Sequence, residues 1–392
     1  MSRSYSPKTF LRLTPNAILK AYFAKRGVLA DVDFDNLGET QVDPIMAAIE
    51  GLTPGEQAKI EADFRDVNEM AYAAGARAII EEAAFHQKDY AAQFEAMRNH
   101  YERAFWAFLN EPGVFLVASY FTEMDSLGSW RRRFVGRNLK PAVERTDLDA
   151  LAKGVSAHYA KEGRGRHCVV DNYLRKSPER HCYFVYPEDY ATTDMEFNEA
   201  GEFKERPRKP AFEVIFVYRP EEGLLEVSAS GKKDRVEALM GVFAKAILDM
   251  DRLPDADKEP AFDLSGLKSR SFAFPTDPAD GIEAVAVRRL RLDLPGTSNR
   301  RIIFEVGASS RGTHAVHTLI DTALNKQNVP LDSAVVSQAK LQIKFSAKPG
   351  WRAKTLTFEI SLPDRCTLKD DPPDQIAKKY LRRWKLARER DA

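Results

Sequence analysis

At 392 residues the chain is longer than a single hydrophobic core usually serves, so two or three domains are expected. Hydrophobic residues at 44% and charged residues at 30% exclude wholesale disorder, and 59 Lys plus Arg against 58 Asp plus Glu leave a net charge of +1, too little for a global field that holds nucleic acid or a membrane. Three cysteines make no disulfide framework, MSRSYSPKTF lacks the apolar core of a signal peptide, and no run approaches the roughly 18 apolar residues that cross a bilayer, so a soluble cytoplasmic protein without a membrane partner is expected.

TPNAILKAYFAKRG opens a helical region, with Thr14 in the N-cap place, Pro15 at the first helical position and Gly27 just past the end. TPGEQAKIEADF sets Thr53 and Glu56 at capping-box spacing, and helical periodicity continues through YAAGARAIIEEAAF, YAAQFEAMRNHYERAFWAFL and, after Pro112-Gly113, VFLVASYFTEM. These segments predict an α-helical domain over 1–150. From about residue 165 the period becomes that of strands. AFEVIFVYRPEEGLLEVSASG alternates β-branched and aromatic residues about a Pro-Glu-Glu-Gly turn, and KKDRVEALMGVFAKAIL follows as a helix with Val236, Leu239, Val242, Phe243 and Ile247 on one face. An antiparallel sheet plus helix module is expected over 151–255. Pro, Asp and Gly in RLPDADKEPAFDLSGLKSRSFAFPTDPADG predict a linker over 256–280.

Beyond it, strand-forming GIEAVAVRRLRLDLPG and RIIFEVGAS, the helix HAVHTLIDTALN, the hairpin AKLQIKFSAKPGWRAKTLTFEISLPD and the helix DQIAKKYLRRWKL predict a second α+β module over 281–392, ending in a basic helix. The two hairpin-then-helix units have the form of a degenerate repeat, although such a unit is also a common cover for one face of a sheet. The expected fold class is α+β: a helical N-terminal domain, then two small modules of antiparallel sheet with helices on one face.

Residue types suited to zinc occur twice in RHCVVDNYLRKSPERHCYF, at His167-Cys168 and His181-Cys182. Neighbours on a strand point to opposite faces, so neither dipeptide turns both side chains to one ion, and a turn at Lys176-Ser177-Pro178 sets Cys182 opposite about Asp171 to Tyr173 instead of Cys168. No metal is expected, and both thiols read as small strand residues. GASSRGTH, residues 307–314, lies between a strand and a helix with Gly307 and Gly312 at the spacing of a phosphate loop. Thr313 stands where that loop has Lys, which leaves backbone N–H groups for an anion or, more simply, a strand-to-helix turn capped by Thr313. EGRGRH at 162–167 sets Arg164 and Arg166 among glycines, a basic loop suited to phosphate or carboxylate.

Basic residues recur beside aromatics: Arg131, Arg132 and Arg133 after Trp130, Arg206 and Arg208 in a proline-broken loop, and Lys378, Lys379, Arg382 and Arg383 around Trp384. Ile376, Tyr380, Leu381 and Trp384 also form an apolar stripe for packing. Such local positive surfaces are what backbone binding to DNA or RNA uses, but no nucleic-acid motif accompanies them. Asp194, Glu202 and Lys204 follow the order of a metal-dependent nuclease set, yet so short a spacing reads as polar residues on an exposed hairpin turning at 198–201. HExxH, Gly-x-Ser-x-Gly, an intact phosphate loop and the kinase set are absent from the sequence. The expectation is a non-enzymatic intracellular macromolecule-binding protein without a cofactor, its partner either nucleic acid on the basic surfaces or a protein on the helical domain. The alternative is an enzyme without a recognisable motif, acting on a phosphorylated substrate or nucleic acid.

Overall fold

A computed structural model of the chain describes residues 4–128, 130–198, 201–255, 260–294, 300–310, 312–325, 331–347 and 354–388. Among them no helix is long and apolar enough to cross a membrane. The chain divides into two compact units, Met1–Pro254 and Asp255–Ala392.

The first unit begins with α1 (Pro7–Leu13), α2 (Asn16–Arg26), α3 (Asp43–Glu50), α4 (Pro54–Met70), α5 (Ala73–Phe85), α6 (Ala91–Ala96), α7 (His100–Asn110) and α8 (Pro112–Ser126). The capping box opens α4: Glu56 N donates to Thr53 Oγ1, and Thr53 N donates to Glu56 Oε2. Thr14 departs from the expected N-cap. Its hydroxyl donates back to Phe10 O at 2.8 Å and closes α1, a helix the sequence reading did not separate, so α2 starts from Pro15. Gly27 ends α2 in the left-handed region at φ +71°, where a side chain is strained. Phe10 stacks on Phe64 at 4.5 Å, and Tyr22 and Phe105 close around them as the centre of this helical core.

Behind the helices come β1 (Arg131–Phe134), α9 (Arg145–Ala160), β2 (Cys168–Lys176), β3 (Glu179–Pro187), β4 (Thr192–Phe197), β5 (Phe203–Arg208), β6 (Val214–Arg219), β7 (Leu224–Ser228) and α10 (Lys233–Ile247). Five strands form an antiparallel sheet in the order β1-β7-β6-β3-β2. Tyr183, Phe216 and Tyr218 face α9 and α10, where Val155, Leu239 and Phe243 complete the core. A Cβ on Gly154 would lie 2.5 Å from Val242 Cγ1, so glycine is what lets α9 approach α10 so closely.

Helices on one face are only half of the arrangement. Cys182, Phe184, Ile215 and Val217 cover the opposite face and pack on Phe121 and Met124 of α8. The physical reason lies in β6, which is buried at all six positions and so needs cover on both sides. Helices to residue 150 and the sheet behind them therefore share one unit. The β4–β5 hairpin forms a separate two-stranded sheet with Met195 and Phe197 both 73% exposed; Glu199 and Ala200 of its expected turn lie outside the described residues.

The second unit contains β8 (Ile282–Asp293), β9 (Arg301–Glu305), α11 (Ala315–Ala323), β10 (Val335–Phe345), β11 (Lys354–Ser361), β12 (Arg365–Cys366) and α12 (Pro372–Arg383). Its antiparallel sheet runs β12-β11-β10-β8-β9. Val287, Leu290, Leu341 and Ile343 meet Val316 and Ile320 of α11 and Ala377, Tyr380 and Leu381 of α12 on the core face. Residues 256–259 of the expected linker and the Pro349-Gly350 turn of the expected hairpin lie outside the described residues. From residue 260 onward the linker reading gives way to packing: Leu264 and Leu267 are in the core, and Asp263 N donates to Leu386 O at 2.9 Å. Pro and Asp mark irregular backbone here, but the apolar residues between them bury it.

Candidate anion site

Several basic residues singled out by the sequence turn out to have partners. On β1, Arg131 is exposed, whereas Arg132 Nε donates to Glu226 at 2.7 Å and Arg133 donates to Pro254 O at 2.7 Å. Glu226 also accepts from Arg219 Nε at 2.7 Å, so this pair of cations holds a buried carboxylate. Arg164 is enclosed. Its guanidinium donates to Glu162 and Asp189 at 3.0 and 3.1 Å and lies 4.4 Å from the Phe212 ring and 4.8 Å from Tyr159, which makes it a clamp for its own loop. Arg166 stays exposed, near Glu188. Arg208 pairs with Asp194, Arg206 lies 3.8 Å from Glu196, and Lys204 lies 3.1 Å from Glu202. Each hairpin cation thus meets a carboxylate, and the Asp-Glu-Lys set does not converge.

At the C-terminal helix, Lys378 pairs with Asp370 at 2.6 Å and Lys379 with Asp280 at 2.8 Å, while Arg383 lies over the Tyr380 ring and Arg382 is exposed. Trp384 is 5% exposed, with Phe274 and Tyr380 against its ring and its Nε1 donating to Pro275 O at 3.0 Å. A base has no ring face to stack on. This corrects its reading as part of a nucleic-acid surface, and the reason is that the apolar stripe of α12 continues one turn to include it.

Cys168 opens β2 and His181-Cys182 lies on neighbouring β3, with Cys182 opposite Tyr173 and Cys168 opposite Pro187. Burial pushes the Cys182 thiol up to about 11 and Cys168 up to about 12, which keeps both protonated. Among the described residues no three His, Cys, Asp or Glu side chains come together to hold a metal.

Chemistry gathers on the outer face of the second sheet. In β8 the pairing with β10 passes from Arg289 opposite Lys340 to Val287 opposite Leu341, which leaves Arg288 as the unopposed residue of a bulge. Val306 N donates to Arg288 O at 2.9 Å, and the chain then folds back as the 307–313 loop. Arg288 is 4% exposed. Its Nε donates to Gln342 Oε1 at 3.0 Å and its Nη1 to Ser310 O and Gly312 O at 3.1 and 3.4 Å, so its partners among the described residues are all neutral. Gln342 Nε2 reaches Ala308 O at 3.5 Å and adds a second tether to the loop. Gly312, at φ +86°, supplies the left-handed turn the loop needs.

These residues enclose a cleft of about 310 Å³. Ala284 and Ala286 form a floor without bulk, Arg288, Gln342 and Lys344 stand along it, and Ser309, Ser310, Gly312 and Thr313 supply the far wall. Lys344 is exposed, with no carboxylate partner among the described residues. Gly307 helps to form the turn, accepting from Ser310 N at 2.9 Å, but does not line the cleft. Thr313 lines it and is not the helix cap, which is His314.

Elsewhere on the same face the charges are matched: Arg289 donates to Glu305 and Glu359 at 2.9 Å each, and Lys340 lies 2.7 and 3.4 Å from the same two carboxylates. Among the described residues lining the cleft there are cations and no carboxylate.

The chain matches no protein-family model and no curated protein. What the cleft can do therefore follows from its own chemistry. A buried guanidinium without a counter-charge is costly, and an anion in the cleft would supply one together with hydrogen-bond acceptors. Thr313 also borders a second cleft of about 230 Å³ lined by Phe272, Phe274, Val285, Val287, His314 and His317. His317 Nε2 donates to Leu267 O at 3.0 Å, and burial lowers the pKa of this imidazole and favours its neutral form.

Gly307, Gly312 and Thr313 were legible as a loop between strand and helix. Arg288, Gln342 and Lys344 were not, because in a strand each looks like one more outward residue. One signal was present: AVAVRRLRL breaks its alternation at Arg288-Arg289, as a bulge does.

In the first unit, burial and then Glu123 push Glu213 up to about 7 from its ordinary 4.5. The folded state thus holds this proton more tightly than the unfolded chain, and stability falls as pH rises from 4.5 through 7. Glu213→Gln is expected to exceed the parent by about 1–2 kcal/mol at pH 8, after a discount for partial exposure, and to match it near pH 4. Thermal melts at the two pH values check this, and an equal offset at both would contradict it.

Proposed function

We propose that this protein binds a phosphate-bearing ligand in the cleft between β8, β10 and the 307–313 loop of its second unit. Arg288 carries the proposal: a guanidinium 4% exposed, held by three neutral oxygens, beside Lys344 and a loop of small hydroxyl residues. Arginine stays charged at any relevant pH, so the site keeps its positive charge whether or not a ligand is present. Among the described residues lining the cleft there is no carboxylate or imidazole to move a proton, which favours holding an anion over transforming it. In this reading the protein is a non-enzymatic binding protein whose anion is held by Arg288, Gln342 and Lys344 together with Gly312 and Thr313, and Gly307 serves only the turn of the loop.

Calorimetric titration with inorganic phosphate at low ionic strength tests it. The parent chain should bind, Arg288→Met and Lys344→Met should each weaken binding about tenfold or more, and Arg383→Ser on α12 should leave it unchanged. Lys344 is exposed, so its variant reports on charge with little risk to folding. Equal affinity in all four proteins, or no heat of binding in the parent, would defeat the proposal.

A further inference from the structure

Given the anion binding proposed above, we infer that the cleft takes a terminal phosphoryl dianion, from a phosphate monoester or free phosphate, and turns away the phosphodiesters of a nucleic-acid strand. Charge is the first ground. Arg288 and Lys344 present two positive charges with no carboxylate among the described lining residues. A phosphate monoester carries about −1.5 to −2 at neutral pH, because its second pKa is about 6, whereas a diester carries a single charge.

Hydrogen bonding adds a second. Ser309, Ser310 and Thr313 line the cleft with hydroxyls that make no hydrogen bond to the described residues, and a terminal phosphoryl group offers three acceptor oxygens to such a wall. A diester gives up one of these to its second ester bond.

Shape agrees with charge. The volume of about 310 Å³ stands at the lower end of small-ligand pockets. Its outer wall is tied down, since Arg288 holds Ser310 O and Gly312 O and Gln342 holds Ala308 O, which keeps the cleft to the size of a single small group. Polyanions also need a track of free cations. Next to the cleft, Arg289 and Lys340 are already neutralised by Glu305 and Glu359.

The test is titration of the full chain with inorganic phosphate, phenyl phosphate and dimethyl phosphate, and with a short single-stranded oligonucleotide with and without a terminal 5′-phosphate. The two dianions should bind, dimethyl phosphate should bind at least about tenfold more weakly, and the oligonucleotide should bind only when it carries the terminal phosphate. Lys344→Met should lose about tenfold for the dianions and little for the diester. Tighter binding of phenyl phosphate than of inorganic phosphate identifies an organic monoester as the ligand, and equal binding identifies free phosphate. Dimethyl phosphate or the unphosphorylated oligonucleotide binding as tightly as the dianions overturns the dianion preference while the anion site stands. Binding by none of them removes the anion site itself.

Discussion

Trp384→Ala is expected to destabilise the second unit by about 3–5 kcal/mol, the cost of deleting a large aromatic side chain from a packed core. The indole lies 4.9 Å from the Phe274 ring and 5.3 Å from Tyr380, and its Nε1 donates to Pro275 O. Alanine leaves a cavity between three segments and an unpaired carbonyl at Pro275. Neighbouring Arg382 and Arg383 are on the exposed side of the same helix, so replacing both by Ser should cost less than about 1 kcal/mol. Hydrogen exchange followed on peptides from β10 and β11 separates the two cases, because it reports on this unit alone. Unchanged protection in Trp384→Ala, coupled with lost binding to single-stranded RNA or DNA, would return Trp384 to a nucleic-acid surface.

A loss of about 2–3 kcal/mol is expected in the first unit for Asp125→Ala, since this part-buried carboxylate is shared by two enclosed guanidiniums, each of which loses an acceptor and a counter-charge. Asp125 Oδ2 accepts from Arg175 Nη1 at 2.7 Å and Oδ1 from Arg180 Nη1 at 3.0 Å, while Arg175 also donates to Glu81 at 2.6 Å. Arg180 is only 2% exposed. The cluster joins α5 and α8 to the β2–β3 hairpin, so its loss should loosen the sheet face that α8 covers. Chemical denaturation of Asp125→Ala, Arg180→Met and the double variant checks the mechanism. If the lost counter-charge is the cause, the double variant recovers part of the loss, and a strictly additive result argues against it.

Much of the secondary structure was legible because it depends on near neighbours. Thr53 and Glu56 cap α4 as their spacing predicts, and Val236, Leu239, Phe243 and Ile247 are the buried face of α10. The α+β class follows from the change of period, and the structure has helices first and antiparallel sheets later. Less legible was cover: β6 is apolar at consecutive positions, which foretells burial on both faces without naming α8 as the second cover. For the candidate site, glycine spacing pointed to the 307–313 loop, but the cations among the described lining residues, Arg288 and Lys344, come from strands on either side of it in the chain.

The sequence by itself determined the order and type of most helices and strands, which loops carry glycines for left-handed turns, and that the total charge is nearly zero. Only the tertiary structure decided the fate of each charge. Arg132 meets Glu226 across 94 residues, Arg175 meets Glu81 across 94, and Arg289 meets Glu359 across 70. Capping and periodicity are set by atoms a few residues apart, while an ion pair is set by strand register and the position of a bulge. Arginines that look alike in the chain therefore end as a loop clamp at Arg164, a neutralised lattice at Arg289, and at Arg288 a buried cation beside an open cleft.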